Sequence, residues 1–186
     1  DHAYAALGTR WIAVDVSDPA ALEIVAQVPV EARRIATRGD RVYALGGDAL
    51  TIYDVSSPSL PALLGTLATT SRGLCVVDDI VYLASGEEGL TIVDATNPAA
   101  PAIVSTTDTP GAAHDVDVAG DVALVADGDG GLLALDVSDR SAPRVLGSYN
   151  EIECSPGDAQ CPLWSRVTWV RDVETAYIAL LRCQGA

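Results

Sequence analysis

Apolar and polar residues alternate along this chain with a period of two, in short runs closed by Gly, Asp or Pro. This is the pattern of half-buried strands bounded by turns. No segment sustains the three-to-four-residue apolar spacing of a helix. The stretch from Gly73 is the clearest. GLCVVDD predicts a strand ending in an Asp-Asp turn, and IVYLASG a second strand ending at Gly86. Glu87, Glu88 and Gly89 then turn into LTIVDAT, a third strand, and after NPAAP the segment AIVSTTD predicts a fourth.

The unit recurs. The phrases VDVSDP, YDVSSP, VDATNP and LDVSDR carry Asp15, Asp54, Asp94 and Asp136, spaced 39, 40 and 42 residues apart. Tyr4, Tyr43 and Tyr82 share one place in the second strand, with Leu124 in the next copy. Gly8, Gly47, Gly86 and Gly128 close that strand, where a tight turn needs positive φ. Trp11, Leu50, Leu90 and Leu132 open the third strand and predict an equivalent apolar layer in each copy. Four-stranded units at a period near 40 stack radially as blades, each burying both faces against its neighbours.

The phrases GLTIVDATNPAAP and GLLALDVSDRSAP resemble the LVIVD repeat, a propeller family of bacterial and archaeal cell-surface proteins. The resemblance runs over residues 3 to 150 and resumes from 166. It implies an all-β fold, a β-propeller of four-stranded antiparallel blades. A partial blade is expected over 1–30 and full blades at about 31–70, 71–110 and 111–150. An insertion at 151–165 precedes a second partial blade over 166–186. This register suits a partial propeller whose remaining blades lie in a longer chain; a four-bladed ring with a spare strand is the other arrangement. The departures from the pattern are Arg140 in place of Pro, the 151–163 insertion, and a Tyr177 strand without its closing glycine.

Composition narrows the picture. The chain is 49% hydrophobic, which excludes disorder, yet it has no Phe and only three Trp, so Val, Ile, Leu and Ala must build the core. No apolar run approaches the roughly 20 residues of a membrane span. The net charge is −15 and every basic residue is Arg, a balance that repels nucleic acid and anionic membranes. The acidity fits either a saline or calcium-rich exterior or the amino-acid bias of a GC-rich genome.

Few residues suggest chemistry. Each phrase aspartate, with Ser17, Ser56, Thr96 or Ser138 two residues on, has the composition of an Asx turn before Pro; a rim of carboxylates is the functional alternative. Asp127 and Asp129, in DGDGG, resemble the opening of a calcium loop, but the later ligands of an EF-hand are missing, and calcium is the one cofactor considered. His114 next to Asp115 offers a base and a carboxylate that point to opposite faces of a strand, so a polar rim residue is expected. Cys75 reads as a small core residue. Cys154 and Cys161 flank SPGDAQ in the insertion and suggest a disulfide and an oxidising compartment, with pairing through Cys183 or free thiols as alternatives. Trp164 and Trp169 nearby could form a contact surface.

The expected function is a non-catalytic scaffold of an exported or cell-surface protein, presenting loops to a protein or carbohydrate ligand. The alternative is a propeller enzyme of hydrolase, lactonase or lyase type whose catalytic residues lie mostly outside this chain.

Overall fold

A computed structural model describes residues 1–150 together with the short strands at 168–170 and 175–177. Every regular element among them is a strand. The first sheet is three-stranded: β1 (His2–Ala6), β2 (Trp11–Asp15) and β3 (Glu23–Val28). Three four-stranded antiparallel sheets follow. They are β4 (Arg34–Arg38) to β5 (Arg41–Gly46), β6 (Ala49–Asp54) and β7 (Ala62–Ala68); β8 (Gly73–Val77) to β9 (Ile80–Ala84), β10 (Leu90–Asp94) and β11 (Ala102–Thr107); and β12 (Asp115–Ala119) to β13 (Val122–Ala126), β14 (Leu132–Asp136) and β15 (Arg144–Tyr149). β16 (Thr168–Val170) pairs with β17 (Thr175–Tyr177). In every four-stranded sheet, spatial order equals chain order. These sheets are the blades of a β-propeller.

Alternation explains the packing. In β5, Val42 and Ala44 turn back to the first sheet, where, together with Tyr53 of β6, they meet Trp11 and Ala13. Tyr43 and Leu45 turn forward, joining Leu50 and Ile52 against Val81, Leu83 and Val93 of the third sheet. Tyr82, Leu90 and Ile92 in turn cover Val116, Val125, Leu133 and Leu135 of the fourth. The middle strands of the second and third sheets, β5, β6, β9 and β10, are thus buried on both faces, and each fully buried Leu or Ile contributes about 1.5–3 kcal/mol. Trp11 takes the place that Leu50 and Leu90 hold elsewhere, and it sits edge-on to Tyr53 with ring centroids 5.2 Å apart.

The first strands β4, β8 and β12 pack side by side along the inside, and the fourth strands form the outer edge. Every outer strand described carries a bulge at one and the same point. One extra residue (Val25, Leu64, Val104 or Leu146) is skipped in the pairing, just after Ile24, Leu63, Ile103 or Val145. Alternation by itself does not disclose such a slip.

The antiparallel order places the first-to-second and third-to-fourth connections at one end of the blades. The second-to-third turns and the blade-to-blade connections lie at the other.

Candidate ligand-binding rim

The two ends differ in kind. At the end bearing the repeated phrase, all four aspartates make one and the same contact. Oδ1 of Asp15, Asp54, Asp94 and Asp136 accepts from the backbone N–H of Ser17, Ser56, Thr96 and Ser138 at 2.8, 2.8, 2.8 and 2.9 Å. For Asp15, Asp94 and Asp136 the hydroxyl of that Ser or Thr, and then its N–H, holds the carboxyl below the usual range. For Asp54 the N–H of Ser56 is the larger cause. Three residues further on, Asp18, Asn97 and Asp139 each accept from the N–H two residues ahead in the same way. The four carboxylates are turn hardware, occupied locally.

Two ion pairs cross from the second sheet to the third at this end: Arg38 to Asp78 at 2.7 Å and Arg41 to Asp79 at 2.6 Å. They border a cleft of about 630 Å³ that also touches Asp54, Leu64 and Pro98. Asp78 has φ +54, the one non-glycine in the left-handed region among the described residues.

The other end varies from blade to blade. The residue entering each inner strand is in an equivalent position, because its N–H donates to an equivalent carbonyl: Arg33 to Leu45, Arg72 to Ala84 and His114 to Ala126, at 2.8, 2.7 and 2.8 Å. The side chains there do not match. Arg33 pairs with Glu31 at 2.9 Å. Arg72 Nη1 instead lies 3.3 Å from His114 Nδ1, across a blade boundary. A backbone bridge brings these two together, Gly86 and Ala113 exchanging N–H···O bonds of 3.0 and 2.9 Å. Gly86 itself, at φ +61, lies under the Arg72 guanidinium. Burial, and then the Arg72 charge, push the His114 pKa down; Asp127, Asp129 and Glu87 oppose them.

The residue after the second strand differs as well: Ser85 in one blade and Asp127 in the next. The Ser85 hydroxyl lies 2.8 Å from Ser71 Oγ and donates to Thr91 at 2.9 Å, within a buried run of hydroxyls. Asp127 is completely buried. Its Oδ1 accepts from the Thr109 hydroxyl at 2.6 Å and its Oδ2 from the Gly111 N–H at 2.7 Å. Gly130 packs so closely that a Cβ there would collide with that carboxylate. Asp129, two residues on, is exposed, and its carbonyl accepts from Asn150 Nδ2 at 2.8 Å. The DGDGG segment is therefore a turn whose first carboxylate is spent on the incoming connection. Among the described residues no group of three His, Cys, Asp or Glu side chains converges as a metal site would require.

Of the other candidates, Cys75 is half-buried and its thiol donates to Asp117 Oδ1 at 3.4 Å, between adjacent inner strands. Cys154, Cys161, Cys183 and Trp164 lie outside the described residues, and Trp169 lies in β16. Sequence reasoning missed Arg72, Thr109 and Gly111. The signal for Arg72 was present, since it stands 22 residues before Asp94, as His114 stands 22 before Asp136.

Fold and rim together define a repeat-built β-propeller that is uniform at one end and individual at the other. The LVIVD repeat is matched three times, over residues 31–69, 70–109 and 110–151, and the chain belongs to the LVIVD repeat family. No curated protein matches it. Among solved structures it is similar to a protein from Lactobacillus plantarum, with a TM-score of 0.68 at 13% identity. The likeness covers 80% of this chain and 53% of that one, so the chain spans about half the length of that neighbour. At this identity the likeness concerns the fold.

Proposed function

We propose that this chain is a non-catalytic β-propeller scaffold of an exported, cell-surface protein, and that it holds its ligand at the rim of blade-to-blade connections. The observation that carries this reading is the asymmetry of the two ends. Where equivalent positions hold the same turn four times over, the residues serve the fold. Where they hold Arg33, Arg72 and His114, or Ser85 and Asp127, the blades have been individualised. Loops on a rigid scaffold are where recognition is placed. β15 delivers the chain to this same rim at Asn150, from which the 151–163 insertion departs. A Cys154–Cys161 disulfide in that insertion belongs to the same proposal and to an oxidising compartment.

The test is a binding screen of the purified chain on peptide and glycan arrays, with rim variants Arg72→Gln and Asp129→Asn set against opposite-end variants Arg38→Gln and Asp78→Asn. Binding lost only in the rim pair is the expected result. Binding that survives in the rim pair, or disappears in the opposite pair, refutes the assignment. Export is checked separately, by protease accessibility on intact cells and by the mass of the 151–163 peptide before and after reduction.

A further inference from the structure

We propose that Arg72 and His114 form a recognition point for the carboxylate of a small zwitterionic, amino-acid-like ligand seated between the third and fourth sheets. This rests on the rim being the binding face and names the chemistry it takes. Arginine has only donors, so the 3.3 Å contact makes His114 Nδ1 the acceptor. The ring is then neutral, and its proton sits on Nε2.

The pair is left rich in unmatched donors. Arg72 belongs to none of the three ion pairs found among the described residues, and His114 Nδ1 is its one side-chain partner there. The remaining guanidinium N–H groups and His114 Nε2–H meet no protein acceptor among the described residues. A guanidinium fork fits a carboxylate with two parallel hydrogen bonds. Gly128, at φ +54, lies beside the ring: a Cβ there would be in ordinary contact with Nε2, at 3.4 Å.

The charges around the pair select the rest of the ligand. Exposed Glu87 and Asp129, on the turns of the two blades, act on the imidazole through space, as does the inward-held Asp127. Those carboxylates, and a net charge of −15, oppose a bare anion. A ligand that also carries a cationic group converts Glu87 and Asp129 from repulsion to attraction.

The chain has two histidines, so its imidazole ¹H–¹³C spectrum carries two signals, with His2 as internal reference and His114 assigned by His114→Gln. The probes are 4-aminobutyrate, acetate and methylammonium, titrated at a pH where the ring is neutral. The expected result is a saturable shift of the His114 signal alone by 4-aminobutyrate, with acetate weaker by up to about fivefold, the upper worth of one exposed ion pair. Methylammonium leaves the signal in place. Arg72→Gln, an exposed change expected to melt as the parent does, abolishes the shift, and Arg33→Gln preserves it. An unmoved His114 signal, acetate binding as tightly as 4-aminobutyrate, a shift by methylammonium alone, or a shift that survives Arg72→Gln overturns the proposal. Array binding lost in the rim variants together with an unmoved His114 signal would overturn this inference and leave the rim assignment standing.

Discussion

Ser105 Oγ donates to the carbonyl of Arg140 at 2.6 Å, joining the outer strand of one blade to the repeated phrase of the next. The preceding boundary solves the same problem differently. Gly65 occupies the position of Ser105, and Pro98 that of Arg140, with the Pro98 carbonyl so close that a Cβ on residue 65 would collide with it. The one phrase that lacks its proline is thus the one whose carbonyl is held by a hydroxyl. At each boundary a backbone oxygen of the repeated phrase is one of the stitches to the preceding outer strand.

Substitutions at these stitches are expected to behave oppositely in size. Ser105→Ala removes one hydrogen bond and costs about 1 kcal/mol. Gly65→Val forces backbone apart and costs about 1–3 kcal/mol. Urea unfolding of both variants, fitted with a common slope, checks the order; a Gly65→Val variant as stable as the parent contradicts the contact.

Leu90→Ala opens a cavity between the third and fourth sheets, where Leu90 is fully buried. A loss of about 2–5 kcal/mol is expected, seen as a lower midpoint in thermal or denaturant unfolding. Leu60→Ala, at a residue 77% exposed, is the control and is expected to stay within about 0.5 kcal/mol.

Asp127 separates charge from hydrogen bonding. Asp127→Ala strands the Thr109 hydroxyl and the Gly111 N–H in a buried place and is expected to cost about 1–3 kcal/mol. Asp127→Asn keeps an acceptor for Gly111 while the Thr109 hydroxyl turns to accept, so a smaller loss is expected. Because both carboxylate oxygens are committed inside the protein, millimolar calcium is expected to leave the melting temperature unchanged. A calcium-dependent rise that vanishes in Asp127→Asn would support the metal reading instead.

His114 links stability to pH. Its folded pKa lies below the ordinary histidine value, so the unfolded chain binds the proton more readily. Stability is therefore complete above about pH 6.5, the unfolded value, and falls as the pH drops from there toward the folded value. The phrase aspartates act lower. Their folded pKa values are depressed, so their contribution holds above the unfolded carboxylate value and is lost as the pH falls through the folded one. His114→Gln is expected to remove the first decline and spare the second, as read from melting temperature against pH.

Much of the blade was legible because it is written several times. Tyr43 and Tyr82, Gly47 and Gly86, and Leu50 and Leu90 announce equivalent places by recurring, and alternation assigns their faces. What was not legible depends on direction or on a neighbour. DGDGG records residue types, and nothing in it says that the Asp127 side chain turns inward to Thr109 and Gly111. Arg72 and His114 lie 42 residues apart in the chain and meet only because Gly86 and Ala113 bridge two blades. The bulges after Ile24, Leu63, Ile103 and Val145 were hidden because an extra apolar residue in an apolar strand leaves no mark in the pattern.

Those bulges have an evolutionary side. An outer strand offers an open row of N–H and C=O groups that could template fibres, and a local kink spoils that row. Here the kink is encoded inside the repeating unit, at one fixed offset from its aspartate. Any duplication of the unit therefore carries its own guard against edge-to-edge pairing. The number of copies can grow or shrink without each new edge having to be protected afresh.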